Sequence, residues 1–349
     1  MFLKSIQIRN FRNIESAELE LGADFNYIIG DNGAGKTSLL EAISYIARGK
    51  SFKTANSNSL ILDGKEMFEI VAYGNQNEIL GLRRTKSDIH VRFNGQPLNR
   101  LSDLARHVPL LVITSSTHEL IERGPDQRRQ FIDWGVFHVE PGYTGQMQAY
   151  RKALKQRNAT LRQGTVPASY WDGSVVDFGE KIDRARSRFI DELTPYFLDT
   201  VKSFAKINGV SLEYMPGWNR AKGLQQHLKE KLIIDSRSGN TSVGPHRADI
   251  TIRIDDALAR ERLSRGQQKL VVISFVISQA RLLGEHGLKP MILIDDLPSE
   301  LDMTHQSTLL RLLHGIPSQK IITSIDDRIT QFGDNPAVFH VEQGHVTPL

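Results

Sequence analysis

The sequence predicts a mixed α/β fold in which both ends of the chain build one head and a mainly helical arm is inserted between them. Residues 30–37 form a glycine-rich loop between a strand-like apolar run and a helix-like apolar repeat. A second apolar run, at residues 291–294, ends in two adjacent aspartates. Between these features, residues 125 to about 235 have a mostly helical pattern. The predicted boundaries are 1–115 and 241–349 for the head and 116–240 for the arm.

The loop G-D-N-G-A-G-K-T at residues 30–37 has the pattern of a phosphate-binding P-loop, with a strand before it and a helix after it. Its glycines allow successive backbone N–H groups to face one concavity, and the start of the helix adds partial positive charge. We expect Lys36 to reach the β- and γ-phosphates and the Thr37 hydroxyl to bind Mg²⁺. The predicted ATP-binding residues of this loop are Gly30, Asp31, Asn32, Gly33, Ala34, Gly35, Lys36, Thr37 and Ser38.

The composition is that of a globular protein with an ordinary core. Of the 349 residues, 40% are hydrophobic and 24% are charged. The absence of Cys excludes disulfides and thiolate metal sites, and the scattered histidines suggest no transition-metal site. The N-terminus lacks a signal-peptide pattern, and the longest apolar run is too short to span a membrane. We therefore expect a cytoplasmic protein with no membrane partner.

The small excess of positive charge is concentrated in the middle of the chain. The 44 basic and 40 acidic residues give a net charge of +4. Residues 116–240 hold 19 basic and 15 acidic residues, whereas the remainder holds 25 of each. A local basic excess of this kind suggests a polyanionic partner.

The N-terminal part of the head is predicted to consist mainly of strands. Residues 2–8 alternate apolar and polar side chains, which is typical of a half-buried strand, and residues 25–29 lead into the P-loop. Residues 68–94 have the pattern of a meander with turn residues at its tips. Residues 109–114 are predicted to form a short, wholly apolar strand.

One predicted helix of the arm concentrates positive charge. Residues 150–162 contain five basic residues and no acidic one. Two interpretations stay open: the basic face holds DNA, or it is the solvated side of an ordinary amphipathic helix. The candidate DNA contacts are Arg151, Lys152, Lys155, Arg157 and Arg162. If the arm does not bind DNA, the alternative surface is that of Arg83, Arg84 and Arg92 in the head.

The C-terminal part of the head carries a second group of polar motifs. The apolar strand that ends in Asp295 and Asp296 is expected to bring carboxylates to a bound Mg²⁺ and to an attacking water. The segment S-R-G-Q-Q at residues 264–268 opens a predicted helix, where Ser and Gly form either an N-cap or an anion-binding end. A further helix is predicted after S-E-L-D at residues 299–302.

The order of these motifs resembles that of ABC-type ATPase heads. In such heads the signature serine of one protomer caps the γ-phosphate held by the P-loop of the other, which implies an ATP-dependent homodimer. The resemblance makes S-R-G-Q-Q the signature motif and places the last aspartate of S-E-L-D in the D-loop. The ATP contacts that it adds are Ser264, Gly266, Gln267 and Asp302. The implied catalytic residues are Asp296 as the general base, Lys36 and Ser264, with Thr37 and Asp295 as the Mg²⁺ ligands.

Five sequence blocks narrow the resemblance to the bacterial RecF family, a group of SMC-like ATPases. The blocks are N-F-R-N-I (10–14), G-P-D-Q-R-R-Q-F-I-D (124–133), L-K-Q-R-N-A-T-L-R (154–162), S-V-G-P-H-R-A-D (242–249) and L-S-R-G-Q-Q-K-L (263–270). They cover nearly the whole chain. Three features depart from the family pattern, one of which is Pro298 just before S-E-L-D. Residues 115–117 are S-S-T where the family carries an acid, and Lys50 and Lys53 replace arginines that could make bidentate phosphate contacts.

The RecF resemblance implies a DNA-binding recombination mediator that uses ATP and Mg²⁺. It implies a weak, DNA-stimulated ATPase that binds double-stranded and gapped DNA and acts at single-strand gaps. The implied partners are RecO and RecR, and the implied role is RecA loading and the SOS response. A protein with these partners is expected in the cytoplasm in association with the nucleoid.

Four other functions compete with this interpretation. A different SMC-like DNA clamp shares most of the motifs, and a small-molecule P-loop kinase needs the P-loop without S-R-G-Q-Q. A translocating helicase needs a second P-loop-like half, and a nuclease-bearing ATPase of the overcoming-lysogenisation type needs an acidic metal domain after the head. Neither of the last two features is found in the sequence.

Overall fold

The computed structural model describes residues 2–98, 100–164, 167–297 and 301–349. The chain divides into two compact units. Unit 1 contains Met1–Thr117 and Leu283–Leu349, and unit 2 contains His118–Leu282. None of the described helices combines the length and the apolar character needed to cross a membrane.

The regular elements are numbered here in chain order. The strands are β1 (Leu3–Phe11), β2 (Ile14–Glu20), β3 (Phe25–Ile29), β4 (Met67–Gly74), β5 (Ile79–Thr85), β6 (Ile89–Phe93), β7 (Gln96–Pro97), β8 (Leu110–Ile113), β9 (Val210–Met215), β10 (Asp249–Ile254), β11 (Ala257–Leu258), β12 (Met291–Ile294), β13 (Lys320–Ser324), β14 (Ala337–Glu342) and β15 (His345–Pro348). The α-helices are α1 (Lys36–Arg48), α2 (Ser102–His107), α3 (Glu119–Glu122), α4 (Pro125–Val139), α5 (Tyr143–Gln163), α6 (Asp172–Thr200), α7 (Leu224–Ser238), α8 (Ala259–Arg262), α9 (Arg265–Glu285) and α10 (Met303–His314).

Unit 1 contains two six-stranded sheets. The first has the order β2-β1-β4-β5-β6-β7, and all of its neighbouring strands are antiparallel. The second has the order β15-β14-β3-β13-β12-β8, in which only the β14–β15 pair is antiparallel. Because β3 pairs with both β13 and β14, strands from the two ends of the chain are neighbours in one sheet. The prediction of a head built from both ends is confirmed.

Helix α1 is the centre of the core of unit 1. Its side chains Leu39, Leu40, Ile43 and Ile46 are fully buried. They belong to one hydrophobic cluster with residues of the antiparallel sheet and of β3, β12 and β13. Burying each such side chain stabilises the fold by roughly 1.5–3 kcal/mol, so the helix that follows the P-loop is held firmly against both sheets.

Unit 2 is mainly helical but contains a small antiparallel sheet of order β11-β10-β9. Helices α4, α5, α6 and α7 make up most of the region predicted to be mostly helical, and strand β9 interrupts it. The alternation of Val210, Leu212 and Tyr214 with polar residues is the strand signal that the helical interpretation overlooked. Because β10 pairs with β9 along its whole length, residues after 240 belong to the compact unit that contains the arm. The motif-based boundary at residue 240 stays a prediction.

Candidate nucleotide site

The P-loop connects β3 to α1, and the main chain of a neighbouring strand packs tightly against it. A Cβ atom on Gly30 would lie 2.2 Å from the carbonyl oxygen of Val341 in β14, so only glycine fits there. Gly33 has a φ angle of +80°, which side chains disfavour. The loop therefore has the backbone geometry that the sequence predicts. The predicted ATP contacts that lie on it or in the first turn of α1 are Gly30, Asp31, Asn32, Gly33, Ala34, Gly35, Lys36, Thr37 and Ser38.

Lys36 folds back over the loop. Its side-chain nitrogen donates hydrogen bonds to the carbonyl oxygens of Gly30 at 2.7 Å and Asp31 at 2.8 Å. The residue is only 7% exposed, and burial lowers the pKa of Lys36, an effect that the charges of Asp296, Asp295 and Asp31 oppose. Within the described residues, these hydrogen bonds go to main-chain oxygens and none goes to a carboxylate. The ammonium group is thus held at the loop by main-chain oxygens, with the three aspartates acting on its charge from beyond hydrogen-bond distance.

A chain of short hydrogen bonds joins α1, β12 and β13. The Thr37 hydroxyl donates to Asp295 Oδ1 and Oδ2, at 3.0 and 3.1 Å, and the Thr323 hydroxyl donates to Asp295 Oδ1 at 2.9 Å. The backbone N–H of Asp296 donates to the Thr323 hydroxyl at 2.7 Å. Burial raises the pKa of Asp295, while the hydrogen bonds from Thr323 and Thr37 lower it. Thr323 therefore orients both aspartates relative to the P-loop helix.

The donor atoms at this point suit Mg²⁺. Thr37 and Asp295 offer hydroxyl and carboxylate oxygens, which are the ligands that this cation prefers. Among the residues that the structure describes, no group of three or more His, Cys, Asp or Glu side chains forms a complete protein metal site. A small set of protein oxygens fits a cation that takes its remaining ligands from phosphates and water. The two residues predicted as Mg²⁺ ligands are thus brought together.

Asp296 has an unusual backbone conformation. Its φ angle is +54°, in the left-handed region, where Asp is one of the better tolerated residues. The residue follows β12 directly, so the chain turns sharply where the strand ends. Conformations of this kind concentrate at functional sites, which makes this position consistent with the predicted general base. That role stays a prediction.

Ser264 caps the helix that it precedes. The backbone N–H of Gln267 donates to the Ser264 hydroxyl at 3.3 Å, and the Ser264 N–H donates to Gln267 Oε1 at 3.1 Å. This reciprocal pair is a capping box at the start of α9. A Cβ atom on Gly266 would meet nothing within 4 Å, so this surface is open. The predicted contact of Ser264, Gly266 and Gln267 with the ATP of a second protomer stays a prediction.

Asp302 is the N-cap of α10. Its carboxylate accepts a hydrogen bond from the His305 backbone N–H at 2.9 Å and contacts His305 Nδ1 at 2.6 Å. These two hydrogen bonds hold the pKa of Asp302 below its usual range. The helix predicted after S-E-L-D is present, although Pro298–Glu300 lie outside the described residues. The predicted D-loop contact of Asp302 with ATP stays a prediction.

Comparisons with known proteins decide the family. The family model for the RecF/RecN/SMC N terminal domain matches residues 2–347. A DNA replication and repair protein RecF from Hydrogenovibrio crunogenus is 41% identical over 330 residues, which cover 91% of this chain and 90% of that protein. Another from Thioalkalivibrio sulfidiphilus is 37% identical and covers 99% of this chain and 98% of its own. The chain belongs to the RecF family. Members of this family are DNA replication and repair proteins.

Solved structures agree with the RecF assignment and with the predicted fold. A structure described as the recombination mediator protein RecF-ATP in the RecFOR pathway has a TM-score of 0.84 and 25% identity, covering 100% of this chain and 97% of that chain. An SMC head bound to the C-winged helix domain of ScpA has a TM-score of 0.65 at 14% identity, covering 100% and 97%, and shows the fold alone. The predicted α/β, ABC-type ATPase head is confirmed.

The basic helix α5 of this RecF-family chain carries exposed cations and one buried cation. Arg151, Lys152, Lys155 and Arg162 are exposed, as a DNA-binding face requires. Arg157 is fully buried, and its guanidinium donates hydrogen bonds, each 2.8 Å long, to three side chains from other parts of unit 2. The acceptors are Asp172, Asp235 and Thr241. The prediction that Arg157 contacts DNA is therefore wrong, because its donors face carboxylates inside the arm.

Sequence reasoning missed one residue of the RecF-family block N-F-R-N-I. Asn13 accepts a hydrogen bond from the Ser38 hydroxyl at 2.8 Å, and its amide donates to the carbonyl oxygen of Ala34 at 3.4 Å. Its neighbour Arg12 makes a two-point contact with the buried Glu41 of α1, at 2.9 and 3.0 Å. The turn between β1 and β2 therefore supports the P-loop from the side. The presence of Asn13 in the block N-F-R-N-I was the sequence signal that could have identified this residue.

Proposed function

We propose that this RecF-family chain is an ATP-dependent, DNA-binding recombination mediator that hydrolyses ATP slowly. ATP binds at the P-loop of unit 1, where backbone N–H groups and the start of α1 favour phosphate. Lys36 exchanges its main-chain hydrogen bonds for charge-assisted bonds to phosphate oxygens. The solved relative described with ATP supports this assignment.

Thr37 and Asp295 hold Mg²⁺ in the proposed site. The cation, when bound, neutralises charge that develops on the phosphates. Thr323 keeps the Asp295 carboxylate in place through its 2.9 Å hydrogen bond. Asp296 orients the attacking water and accepts its proton as the general base. The observation that carries this proposal is the Thr37–Asp295–Thr323–Asp296 hydrogen-bond chain, because it joins the P-loop helix to two strand ends at one place.

The open start of α9 supports a mechanism in which two protomers associate. We propose that Ser264, Gly266 and Gln267 of one protomer complete the ATP site of a second protomer, with Asp302 nearby. ATP thereby drives head-to-head dimerisation, and DNA-stimulated hydrolysis releases the dimer. Double-stranded or gapped DNA lies against the exposed cations of α5 in each protomer, where phosphate contacts give affinity without sequence preference.

The cellular role proposed here combines this clamp with partner proteins. The solved relative is described as a recombination mediator of the RecFOR pathway, which supports RecO and RecR as partners at single-strand gaps. In this role the protein promotes RecA loading and the SOS response, and it acts in the cytoplasm on nucleoid DNA.

The test of the ATP-driven clamp is protomer mass with ATP, with and without gapped DNA. The parent chain should form a dimer with ATP and revert as ATP is consumed, faster when gapped DNA is present. Asp296→Asn keeps the side-chain shape but loses the base, so it should bind ATP and remain dimeric. Hydrolysis by Asp296→Asn at the parent rate would assign the base to another residue. A monomeric mass under every condition would rule out the clamp.

Mixing two defective variants tests the contribution in trans. Ser264→Arg should bind ATP but not dimerise, and Lys36→Ala should bind ATP much more weakly than the parent chain. A heterodimer of the two keeps one complete composite site, so the mixture should regain part of the ATPase activity. No recovery where mass measurement shows that heterodimers form would contradict independent composite sites.

A further inference from the structure

The outer face of the antiparallel sheet in unit 1 carries a concave surface. A cavity of about 730 Å³ lies over β4, β5 and β6 and is closed on one side by Pro97 and Leu98. The side chains of Val71, Arg83 and Arg92 are on the face opposite the one that packs on α1, since they alternate with buried residues of the same strands. Those buried residues are Ile70, Leu82 and Val91. The cavity is separate from the P-loop residues described above, and the nucleotide chemistry does not use it.

The floor of the cavity contains a glycine that the fold itself does not need. Gly81 lies in the middle of β5, opposite Val71 of β4 and Arg92 of β6. Its φ angle is not positive, and a Cβ atom added to it would meet nothing within 4 Å. A glycine inside a strand weakens the strand and often marks a place where a ligand approaches the backbone closely. Gly81 therefore leaves room for a group from outside this unit.

The rim of the cavity is positively charged. Arg92 is exposed and makes no ion pair with any residue that the structure describes. Arg83 is half exposed and pairs with Glu69 at 2.5 Å, and the strand register places Arg9 opposite Glu69 on its other side. Three guanidinium groups thus accompany one carboxylate on this face. Charge complementarity favours an occupant with one or a few carboxylates, and Arg92 is the group that such a carboxylate would meet first.

The floor distinguishes a peptide from a nucleic acid. Val71 and Pro97 supply apolar surface beside Gly81, and the one aromatic ring among the described lining residues is the imidazole of His90. Single-stranded nucleic acids are usually held by stacking on a series of aromatic rings, and the single imidazole of His90 does not provide such a series. An apolar floor with a few cations on its rim suits an amphipathic, acidic peptide.

We propose that this cavity is a docking site for an acidic, amphipathic peptide segment of a protein partner. An apolar side chain of the segment covers Gly81 and Val71, and a neighbouring carboxylate pairs with Arg92. Because β4, β5 and β6 are continuous strands, the site is largely formed before binding, which lowers the cost of association. The proposal does not depend on nucleotide or DNA binding.

The probe is a fluorescein-labelled octapeptide in which aspartate alternates with leucine. In an extended conformation this peptide presents its leucines on one side. One control peptide replaces aspartate with lysine, and a second replaces leucine with serine. Fluorescence anisotropy at low salt should show saturable binding of the probe to the full chain and at least tenfold weaker binding of both controls. No binding of the probe, or equal binding of the three peptides, would overturn the proposal.

Two variants locate the binding to the cavity. Arg92→Glu reverses the charge of the rim, and Gly81→Val fills the floor with a side chain that strands favour, so its melting temperature should not fall. Each should weaken probe binding at least tenfold. Lys86→Glu changes an exposed charge outside the cavity and should alter binding less than twofold. Parent-like binding by both cavity variants would refute the site, as would displacement of the probe by a duplex or single-stranded oligonucleotide, which would assign the cavity to nucleic acid.

Discussion

Each unit contains a deeply buried cation, and the two cations are satisfied in different ways. Lys36 in unit 1 is 7% exposed and bonds to the carbonyl oxygens of Gly30 and Asp31. Arg157 in unit 2 is fully buried and bonds to the carboxylates of Asp172 and Asp235. Main-chain carbonyls carry partial charge only, whereas two carboxylates more than balance one guanidinium.

This difference in hydrogen-bond partners distinguishes a cation that can bind a ligand from a cation that stabilises the fold. A buried cation without a carboxylate is costly, and an arriving anion removes part of that cost. A buried cation that is already paired with two carboxylates gains little from a further anion. It instead connects the segments that supply its carboxylate partners. Positive charge in the sequence therefore predicts anion binding only where the fold leaves the cation without a direct carboxylate partner.

Breaking the Arg157 network should have the largest effect. Arg157→Met keeps much of the buried volume but leaves two carboxylates without their partner. Removing one member of a buried ion pair costs about 3–5 kcal/mol of folding free energy. Urea denaturation of the full chain should show this loss.

The matched control for Arg157 is Arg151→Met, an exposed residue of the same helix. Its free energy of unfolding should stay within about 0.5 kcal/mol of the parent value. Equal stability of the two variants would mean that the network contributes little to the arm.

Removing the cation without a direct carboxylate partner should affect binding rather than folding. Lys36→Ala deletes charge-assisted bonds to phosphate worth about 1.5–3 kcal/mol, so ATP affinity should fall roughly 10- to 100-fold. Its free energy of unfolding should change little, because no carboxylate loses a direct partner. Calorimetric titration with ATP in the presence of Mg²⁺ measures the loss. Parent-like affinity would contradict the assignment of the P-loop as the ATP site.

Replacing the exposed cations of α5 should change the affinity for DNA and the dependence of that affinity on salt. Replacing Arg151, Lys155 and Arg162 with Ala should weaken duplex DNA binding by roughly 2 kcal/mol at moderate salt. Each lost phosphate contact should also flatten the plot of log affinity against log salt by about 0.9. ATP affinity should be unchanged.

The control for this DNA experiment is the triple alanine variant of Arg184, Lys202 and Lys229, which are exposed cations on other elements of unit 2. It should keep the parent salt slope. If the two triple variants behave alike, α5 is only a solvated helix face.

A pH effect at His246 should be the smallest. Its Nδ1 contacts the Tyr150 hydroxyl at 2.7 Å, and its Nε2 contacts the carbonyl oxygen of Thr241, a residue of the Arg157 network. Burial lowers the pKa of His246 to about 4. The unfolded chain takes up a proton below about pH 6.5 while the folded chain does not, so stability falls as pH falls from 6.5 toward 4.

The expected size of the His246 effect is about 1 kcal/mol between pH 7.5 and 5.5. Melting curves at the two pH values measure it, and His246→Gln should reduce the difference because it removes the titrating group. An unchanged pH dependence in that variant would assign the effect to other groups.

The sequence was sufficient to predict those parts of the site that a local pattern of residues specifies. The P-loop, its strand β3 and its helix α1 were predicted because glycine spacing and apolar periodicity are local signals. Asp295 and Asp296 were predicted for the same reason, since a strand that ends in carboxylates can be recognised without its neighbours. The structure then placed Thr323 between them, which no local pattern specifies.

The sequence was insufficient to predict the role of a residue whose contacts come from distant parts of the chain. Arg157 has the same local context as its exposed neighbours on α5, and its partner Asp235 lies 78 residues away along the chain. Helical periodicity predicts which face a residue occupies but not what another helix brings to that face. Asn13 was missed for a related reason, because its role depends on the approach of the turn between β1 and β2 to the P-loop.

The position of β3 between β13 and β14 has a consequence during protein synthesis. About 300 residues separate β3 from its neighbours, so at translation rates of about 5–20 residues per second the emerging strand waits roughly 15–60 seconds for them. Unit 2 is one continuous segment, His118–Leu282, and leaves the ribosome complete while the second sheet of unit 1 still lacks four of its six strands. A ribosome that stalls before β13 therefore exposes the apolar strand β3 with both of its edges unpaired, a state that chaperones recognise and that favours aggregation.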